Sequence, residues 1–258
     1  MILRLVAKDP LERYQTVSSL LADLEEYQRQ RAEGIETPDF EIARSTLGEG
    51  LHFATRLIGR NSELEVLHSL IERTKQRKGS LVLVSGAPGV GKSRLVDELR
   101  GTIHSIGGMF VAGKCNQYES TIPFGVFAEA LDGYVRKVKR TSMKQRGAVI
   151  ERMKKAVGEL GGEVLKMAPA IMDLIGDQPE LEELAPGRER YRFMITVSNL
   201  LSNLGTDEHP FILFIDNLQW ADEGSIELIE RIAEELRTRP VMVIASYRDT
   251  DVYAGHPW

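Results

Sequence analysis

The sequence contains one cysteine, Cys115, so no disulfide framework can staple the chain, and a reducing compartment fits. Nothing near Cys115 in sequence would lower its pKa, and it reads as a small strand-end residue rather than a nucleophile. Long hydrophobic runs are also missing. No stretch of 18 apolar residues occurs, which excludes a membrane-spanning helix, and no signal peptide opens the sequence. The expected location is therefore the cytoplasm. Excess positive charge is lacking as well: 33 Lys and Arg stand against 38 Asp and Glu, a net charge of -5. That balance disfavours a nucleic-acid binder driven by bulk electrostatics. What remains is ordinary for a globular protein, 42% hydrophobic and 28% charged. At 258 residues there is material for one large domain, or one and a fraction.

One stretch organises the rest. Ser80-Leu-Val-Leu-Val-Ser85 runs directly into Gly86-Ala87-Pro88-Gly89-Val90-Gly91-Lys92-Ser93, followed by Arg94 and a helical pattern of Leu95, Leu99 and Ile103. Strand, G-x-x-x-x-G-K-S loop and helix fall in the order that a phosphate cradle requires. Glycines let the backbone curl so that successive N–H groups face one concavity, and the helix N-terminus adds its positive dipole end. Lys92 is placed to reach β/γ oxygens, and the Ser93 hydroxyl to hold Mg²⁺. The expected ligand is a nucleotide triphosphate with Mg²⁺.

A second half follows about 120 residues later. Phe211-Ile-Leu-Phe-Ile215 is a continuous apolar run ending in Asp216, as expected of a strand buried on both faces of a parallel sheet. Its carboxyl end should lie beside the phosphate loop, where open α/β sheets bind ligands, so Asp216 is expected to hold Mg²⁺ opposite Ser93. Asp222 reads first as the N-cap of a helix carrying Ile226, Ile229, Ile232 and Leu236. Trp220 reads as packing next to the site. Two further strands are expected at Met109–Cys115 and Val241–Ser246, with helical residues 142–176 inserted between strands two and three, and a helix over 188–204 facing inward through Phe193, Val197, Leu200, Leu201 and Leu204. Between them, Arg136 through Arg146 is basic and Asp177 through Glu189 acidic. These segments read as two solvated faces or as an internal pairing, with nucleic-acid contact the weaker alternative.

Upstream, residues 1–33 read as a helix end, a turn at Asp9-Pro10, and a helix capped by Thr16 with an apolar face of Val17, Leu20, Leu21 and Leu24. Two helices alone cannot bury such faces, so docking on another element is expected. Residues 34–56 have Pro, Gly and no sustained period and read as a linker. Asn61 is the expected N-cap of a helix with Glu63 in its first turn and Leu64, Leu67, Leu70 and Ile71 inward.

Several of these motifs carry family resemblances. Leu-Val-Ala-Lys8-Asp9-Pro10-Leu-Glu-Arg13-Tyr14 resembles the C-terminal end of a serine/threonine protein kinase domain. No A-P-E, H-R-D or D-F-G segment precedes it, so this piece is not expected to phosphorylate protein. The segment Gly59-Arg60-Asn-Ser-Glu63-Leu64 resembles the opening motif of AAA-type and STAND signalling ATPases, in which the backbone at Gly59 and Arg60 would line the adenine pocket. In those families the last strand lies between the phosphate-loop strand and the acid strand, and a polar residue at its tip senses the γ-phosphate. Arg248, in Tyr247-Arg248-Asp249, is the candidate, because a guanidinium matches phosphate oxygens in a fork.

Taken together, the motifs resemble the ATPase segment of large bacterial signalling proteins, where a kinase domain precedes a STAND-like AAA ATPase and sensor and histidine-kinase modules follow. The resemblance implies a P-loop NTPase of three α/β/α layers with about four parallel strands, ending before the fifth strand and helical lid. It divides the chain into a kinase tail at 1–33, a linker at 34–56 and an ATPase domain at 57–258. Such families place an acid directly after the Mg²⁺ ligand, whereas this sequence has Asn217. An amide orients water but takes no proton at neutral pH, so ATP hydrolysis is expected to be weak. The implied function is a nucleotide switch coupled to neighbouring kinase and sensor domains, with self-association through an exposed sheet edge. The competing readings are a non-hydrolysing ATP-binding scaffold and an origin-recognition-like DNA-binding ATPase. No N-K-x-D motif for guanine is present, which disfavours a GTPase.

Overall fold

The computed structural model describes residues 17–36, 59–117 and 123–251, with isolated positions Met1, Leu5, Tyr14, Pro38 and Phe40. Four strands form one all-parallel sheet: β1 (Ser80–Ser85), β2 (Met109–Lys114), β3 (Phe211–Asp216) and β4 (Val241–Tyr247), in the order β1-β4-β3-β2. The last strand is thus inserted between the phosphate-loop strand and the acid strand, as expected. The register pairs Val84 with Ser246, Ile215 with Ala245, and Lys114 with Asp216, so the carboxyl ends of the strands align along one pole of the sheet.

Alternation along the strands builds two cores. Phe211, Leu213 and Ile215 of β3 and Val241, Val243 and Ala245 of β4 face one side. Ile212, Phe214, Met242 and Ile244 face the other. Every β3 residue from Phe211 to Ile215 is buried, which accounts for the near-continuous apolar run. On the second face pack α2 (Asn61–Lys75) through Leu67 and Ile71, and α3 (Lys92–Asp97) and α4 (Leu99–Ser105) through Leu95, Leu99 and Ile103. The first face is covered by α5 (Gly125–Val138), the inserted helices α6 (Met143–Val157), α7 (Gly161–Met167) and α8 (Met172–Ile175), α9 (Pro186–Ser202) and α10 (Glu223–Glu235). The result is the expected three-layer α/β/α arrangement. A Cβ at Gly113 would sit 2.0 Å from the Val126 carbonyl oxygen, so glycine is what lets α5 start against β2.

Inside the insertion, the fully buried Glu163 carboxylate receives Arg192 Nε at 2.6 Å and Lys166 Nζ at 2.9 Å, tying α7 to α9. A buried carboxylate persists only when it is paired in this way. Three residues of the basic segment bond internally: Lys137 Nζ donates to Phe110 O at 2.6 Å, Lys139 pairs with Asp173 at 2.5 Å, and Arg146 bonds the Lys139 and Thr141 carbonyls. The Lys139 partner, Asp173, lies outside the Asp177–Glu189 stretch. Within that stretch Glu189 lies 4.0 Å from Arg192.

Two local expectations are corrected. The cap of α2 is Arg60, with Asn61 as the first helical residue, and no side chain bonds the cap. The Glu63 carboxylate, which the first turn could use, is held instead by Arg60 and Ser62. Helix α1 (Val17–Ala32) forms, but Val17, Leu21 and Leu24 on its apolar face are exposed, while Ser19, Asp23 and Gln30 are buried. Tyr14 Oη donates to Asp23 at 2.7 Å. Thr16, Lys8, Asp9, Pro10 and Arg13, and linker residues 41–56, lie outside the described residues.

Candidate nucleotide site

The loop after β1 turns on three glycines in the left-handed region: Gly86 at φ 154, Gly89 at 78 and Gly91 at 88. L side chains are strained at such angles, so the glycines of the motif are a backbone requirement. Ala87, Pro88, Gly89 and Val90 form the exposed crest, and Gly91 ends the loop where α3 begins. Lys92 folds back over its own loop, donating from Nζ to Gly86 O at 2.7 Å and Ala87 O at 3.0 Å. Arg94, two residues along, pairs with Glu98 at 2.8 Å.

Ser93 and Asp216 meet. The Ser93 hydroxyl donates to both carboxylate oxygens of Asp216, at 3.0 and 3.1 Å, across 123 residues of sequence. Both are hard oxygen donors, and Ser93 is exposed. Mg²⁺ prefers one or two such protein oxygens completed by water and phosphate, so this pair fits it. No cluster of three His, Cys, Asp or Glu able to hold a metal occurs among the described residues.

Around Asp216 the strand tips interlock. Its backbone carbonyl accepts from Cys115 N at 2.9 Å. Burial, together with the nearby Asp222, Asp216 and Glu129 charges, pushes the Cys115 thiol up to about 12. It is an inert packing residue, as the sequence suggests. Asn217 turns the chain out of the sheet in the left-handed conformation, φ 59, which Asn tolerates better than most residues. Asp222 is indeed the N-cap of α10, accepting from Ser225 N at 3.0 Å, and it also receives Phe124 N at 3.2 Å. Those bonds occupy it structurally, away from water activation.

Arg248 stands at the tip of β4, its guanidinium 4.8 Å from the centre of the Trp220 ring and 3.6 Å from Asp251. Trp220 packs against the core beside the site, as expected, and its ring also carries that arginine. The Arg248 backbone N–H donates to the Gln219 side-chain oxygen at 3.1 Å. Ser246, which bonds Asp216 and Asn217, and Gln219, neither singled out by the sequence, link the tip of β4 to the end of β3 and the turn after it. Ser246 was detectable only as the hydroxyl preceding Tyr247-Arg248 at a strand end.

Beside the loop, on the free side of β1, lies a cavity of about 360 Å³ lined by Arg60, Val66, Leu83, Val90, Lys92 and Leu95. Val66, Leu83 and Val90 offer it exposed apolar surface. Arg60 borders it, paired with Glu63 at 2.6 Å, and Gly59 precedes it at φ 76. The Arg60 pairing holds the half-buried Glu63 carboxyl down at about 2. A larger cavity, about 430 Å³, opens at the opposite end of β1 between Arg73, Ser80, Leu81 and Arg237. It is remote from the strand tips where open parallel sheets bind ligands.

Comparison with known proteins agrees with this geometry. The family model described as AAA ATPase domain matches residues 56–244. A hybrid signal transduction histidine kinase G of Dictyostelium discoideum is 22% identical over 251 aligned positions, covering 90% of this chain. The chain spans about 7% of that relative's length. No helix among the described residues is long and apolar enough to cross a membrane. With its phosphate-loop sequence on a parallel sheet of matching topology, the chain belongs to the AAA ATPase domain family.

Proposed function

We propose that this chain binds ATP with Mg²⁺ and serves as a slowly hydrolysing nucleotide switch within a larger signalling protein. The observation that carries the reading is the Ser93 hydroxyl bonded to the Asp216 carboxylate, a serine from the phosphate loop and an acid from β3 brought to one point. In the proposed complex Gly86 through Gly91 wrap the phosphates and the Lys92 ammonium leaves its loop carbonyls for the β/γ oxygens. Ser93 and Asp216 hold Mg²⁺, whose charge offsets that of the β- and γ-phosphates. The apolar wall of Val66, Leu83 and Val90 next to Gly59 and Arg60 suits a nucleobase. Asn217 orients water without taking its proton, consistent with slow turnover. Arg248 leaves Trp220 and Asp251 to read the γ-phosphate.

The signalling context rests on two supports. One is the kinase-like sequence at Lys8-Asp9-Pro10 through Tyr14, with the linker at 34–56 and the ATPase domain at 57–258. The other is the relative whose name is a hybrid signal transduction histidine kinase. The partners in this reading are neighbouring kinase and sensor domains and further copies of the chain. A non-hydrolysing scaffold is favoured by one observation, the amide of Asn217 where an acid is usual. Single-turnover phosphate release separates the two: release over minutes to hours supports the switch, and none supports the scaffold.

The site itself is tested by equilibrium binding of a fluorescent ATP analogue with and without Mg²⁺. Lys92→Ala is expected to weaken binding by about 100-fold or more, the scale of losing a charge-assisted contact to phosphate. Asp216→Ala is expected to abolish the Mg²⁺ dependence and leave metal-free binding nearly intact. Unchanged affinity in both variants overturns the assignment.

A further inference from the structure

Ser246 is completely buried, and a hydroxyl in that position is costly unless both of its roles are used. Both are used, and both on the acid half of the site. Its Oγ donates to Asp216 Oδ1 at 2.5 Å and accepts the Asn217 backbone N–H at 3.2 Å. The regular β3–β4 pairing ends one residue earlier, at Ile215 with Ala245. Ser246 therefore continues the ladder with a side chain where the backbone of β3 turns away. The same residue is in register with Val84 on the other flank of β4, so it stands between the phosphate-loop strand and the acid strand.

Asp216 receives two hydroxyls, and they differ in kind. Ser93 is exposed, lies on the loop that is to wrap phosphate, and contacts both carboxylate oxygens. Ser246 belongs to a central strand and contacts Oδ1 alone. Ser93 is thus free to turn toward a cation, while Ser246 fixes the carboxylate from behind. Asn217 adds a second reason for that fixing. Its left-handed turn directly follows Asp216, and the Ser246 oxygen is the acceptor that holds its N–H.

We infer that Ser246 is a positioning residue that orients the Asp216 carboxylate for a divalent cation and so sets the affinity of the nucleotide site for Mg²⁺. The inference rests on the Mg·ATP reading above. It concerns a residue that touches neither metal nor nucleotide and acts through Asp216. A hydrogen bond donated to one carboxylate oxygen leaves the other as the better metal ligand and removes the rotational freedom that an unheld carboxylate would lose on binding.

The test uses the whole chain, a fluorescent ATP analogue, and Mg²⁺ titrated from an EDTA baseline. Ser246→Ala is expected to raise the Mg²⁺ concentration for half-maximal effect by about tenfold, the scale of one lost hydrogen bond to a charged group. Metal-free affinity for the analogue should stay within about twofold, since no phosphate contact is removed. Ser246→Thr, which keeps the hydroxyl, is expected to restore the Mg²⁺ response. Ser246→Cys, nearly the same shape with a weak donor, should shift it in the direction of Ser246→Ala; it decides the matter if the alanine variant does not fold. A purely structural role predicts equal losses with and without Mg²⁺, and that result overturns the inference. So does an unshifted Mg²⁺ response in the alanine or cysteine variant. Should wild type and Asp216→Ala respond to Mg²⁺ alike, the metal reading of Asp216 itself falls and this inference with it. A dependence lost in Asp216→Ala but intact in Ser246→Ala refutes the role of Ser246 alone.

Discussion

Strands β3 and β1 each carry half of the candidate site, and they are built in opposite ways. β3 is interior, buried on both faces, and ends in the acid. β1 is an edge of the sheet, and its Leu83 is 50% exposed although its sequence is as apolar as that of an inner strand. The position of Asp216 is therefore set by core packing and by Ser246, whereas the phosphate loop takes its shape from glycine backbone angles and from α3 and α4 behind it. The far edge, β2, differs again: the Lys137 ammonium caps its Phe110 carbonyl and the Arg100 guanidinium lies 4.3 Å from the Phe110 ring centre. Among the described strands β1 has a neighbour on one side only, and its edge borders the cavity next to the phosphate loop.

The contrast can be broken by mutation, beginning with the largest effect. Phe214→Ala in β3 removes a buried ring packed near Phe110 and is expected to cost about 3–5 kcal/mol in urea unfolding. A loss under 1 kcal/mol would mean that β3 is not the rigid member. At the covered edge, burial lowers the Lys137 ammonium to about 8 from 10.5. Between those values the unfolded chain binds more protons than the folded one, so stability should rise with pH across that window. Lys137→Met is expected to flatten the rise and to gain up to about 3 kcal/mol below pH 8, less whatever the Phe110 bond contributes. Thermal melts from pH 7 to 10.5 on both proteins check this. Next, if Arg248 reads the γ-phosphate as proposed, Arg248→Ala should reduce the preference for ATP over ADP by about tenfold, measured by competition binding. The smallest effect belongs to the free edge. Leu83→Ala should change unfolding stability by less than about 0.5 kcal/mol, and a loss comparable to that of Phe214→Ala would erase the distinction.

Much of this architecture is legible in the sequence because it is written in periodicity and spacing. Phe211–Asp216 reads as a doubly buried strand with its acid at the tip, and Gly86–Ser93 as a phosphate loop. The stripe Phe193, Val197, Leu200, Leu201 and Leu204 lies on the covered side of α9 and just past it. What escaped lies in side chains whose partners are remote in sequence. Ser246 reaches Asp216 from 30 residues away, and Gln219 reaches Arg248 from 29. A serine or glutamine at a strand end has no pattern that announces such a bond. The cap of α2 failed for a related reason: Asn61 is a good capping residue, but Arg60 and Ser62 both engage Glu63, and the helix starts without a side-chain cap. Charge runs gave only half of the answer, since Lys139 finds Asp173 rather than the acidic stretch beyond it.

The buried state of Cys115 has a practical corollary. Because its thiol stays protonated at neutral pH and is enclosed by packing, maleimide reagents should pass it by. A cysteine placed at an exposed position such as Met143, 67% accessible, would then be the sole labelling point without any background substitution. Spin or fluorophore labels could follow the helical insertion during nucleotide exchange in an otherwise native sequence.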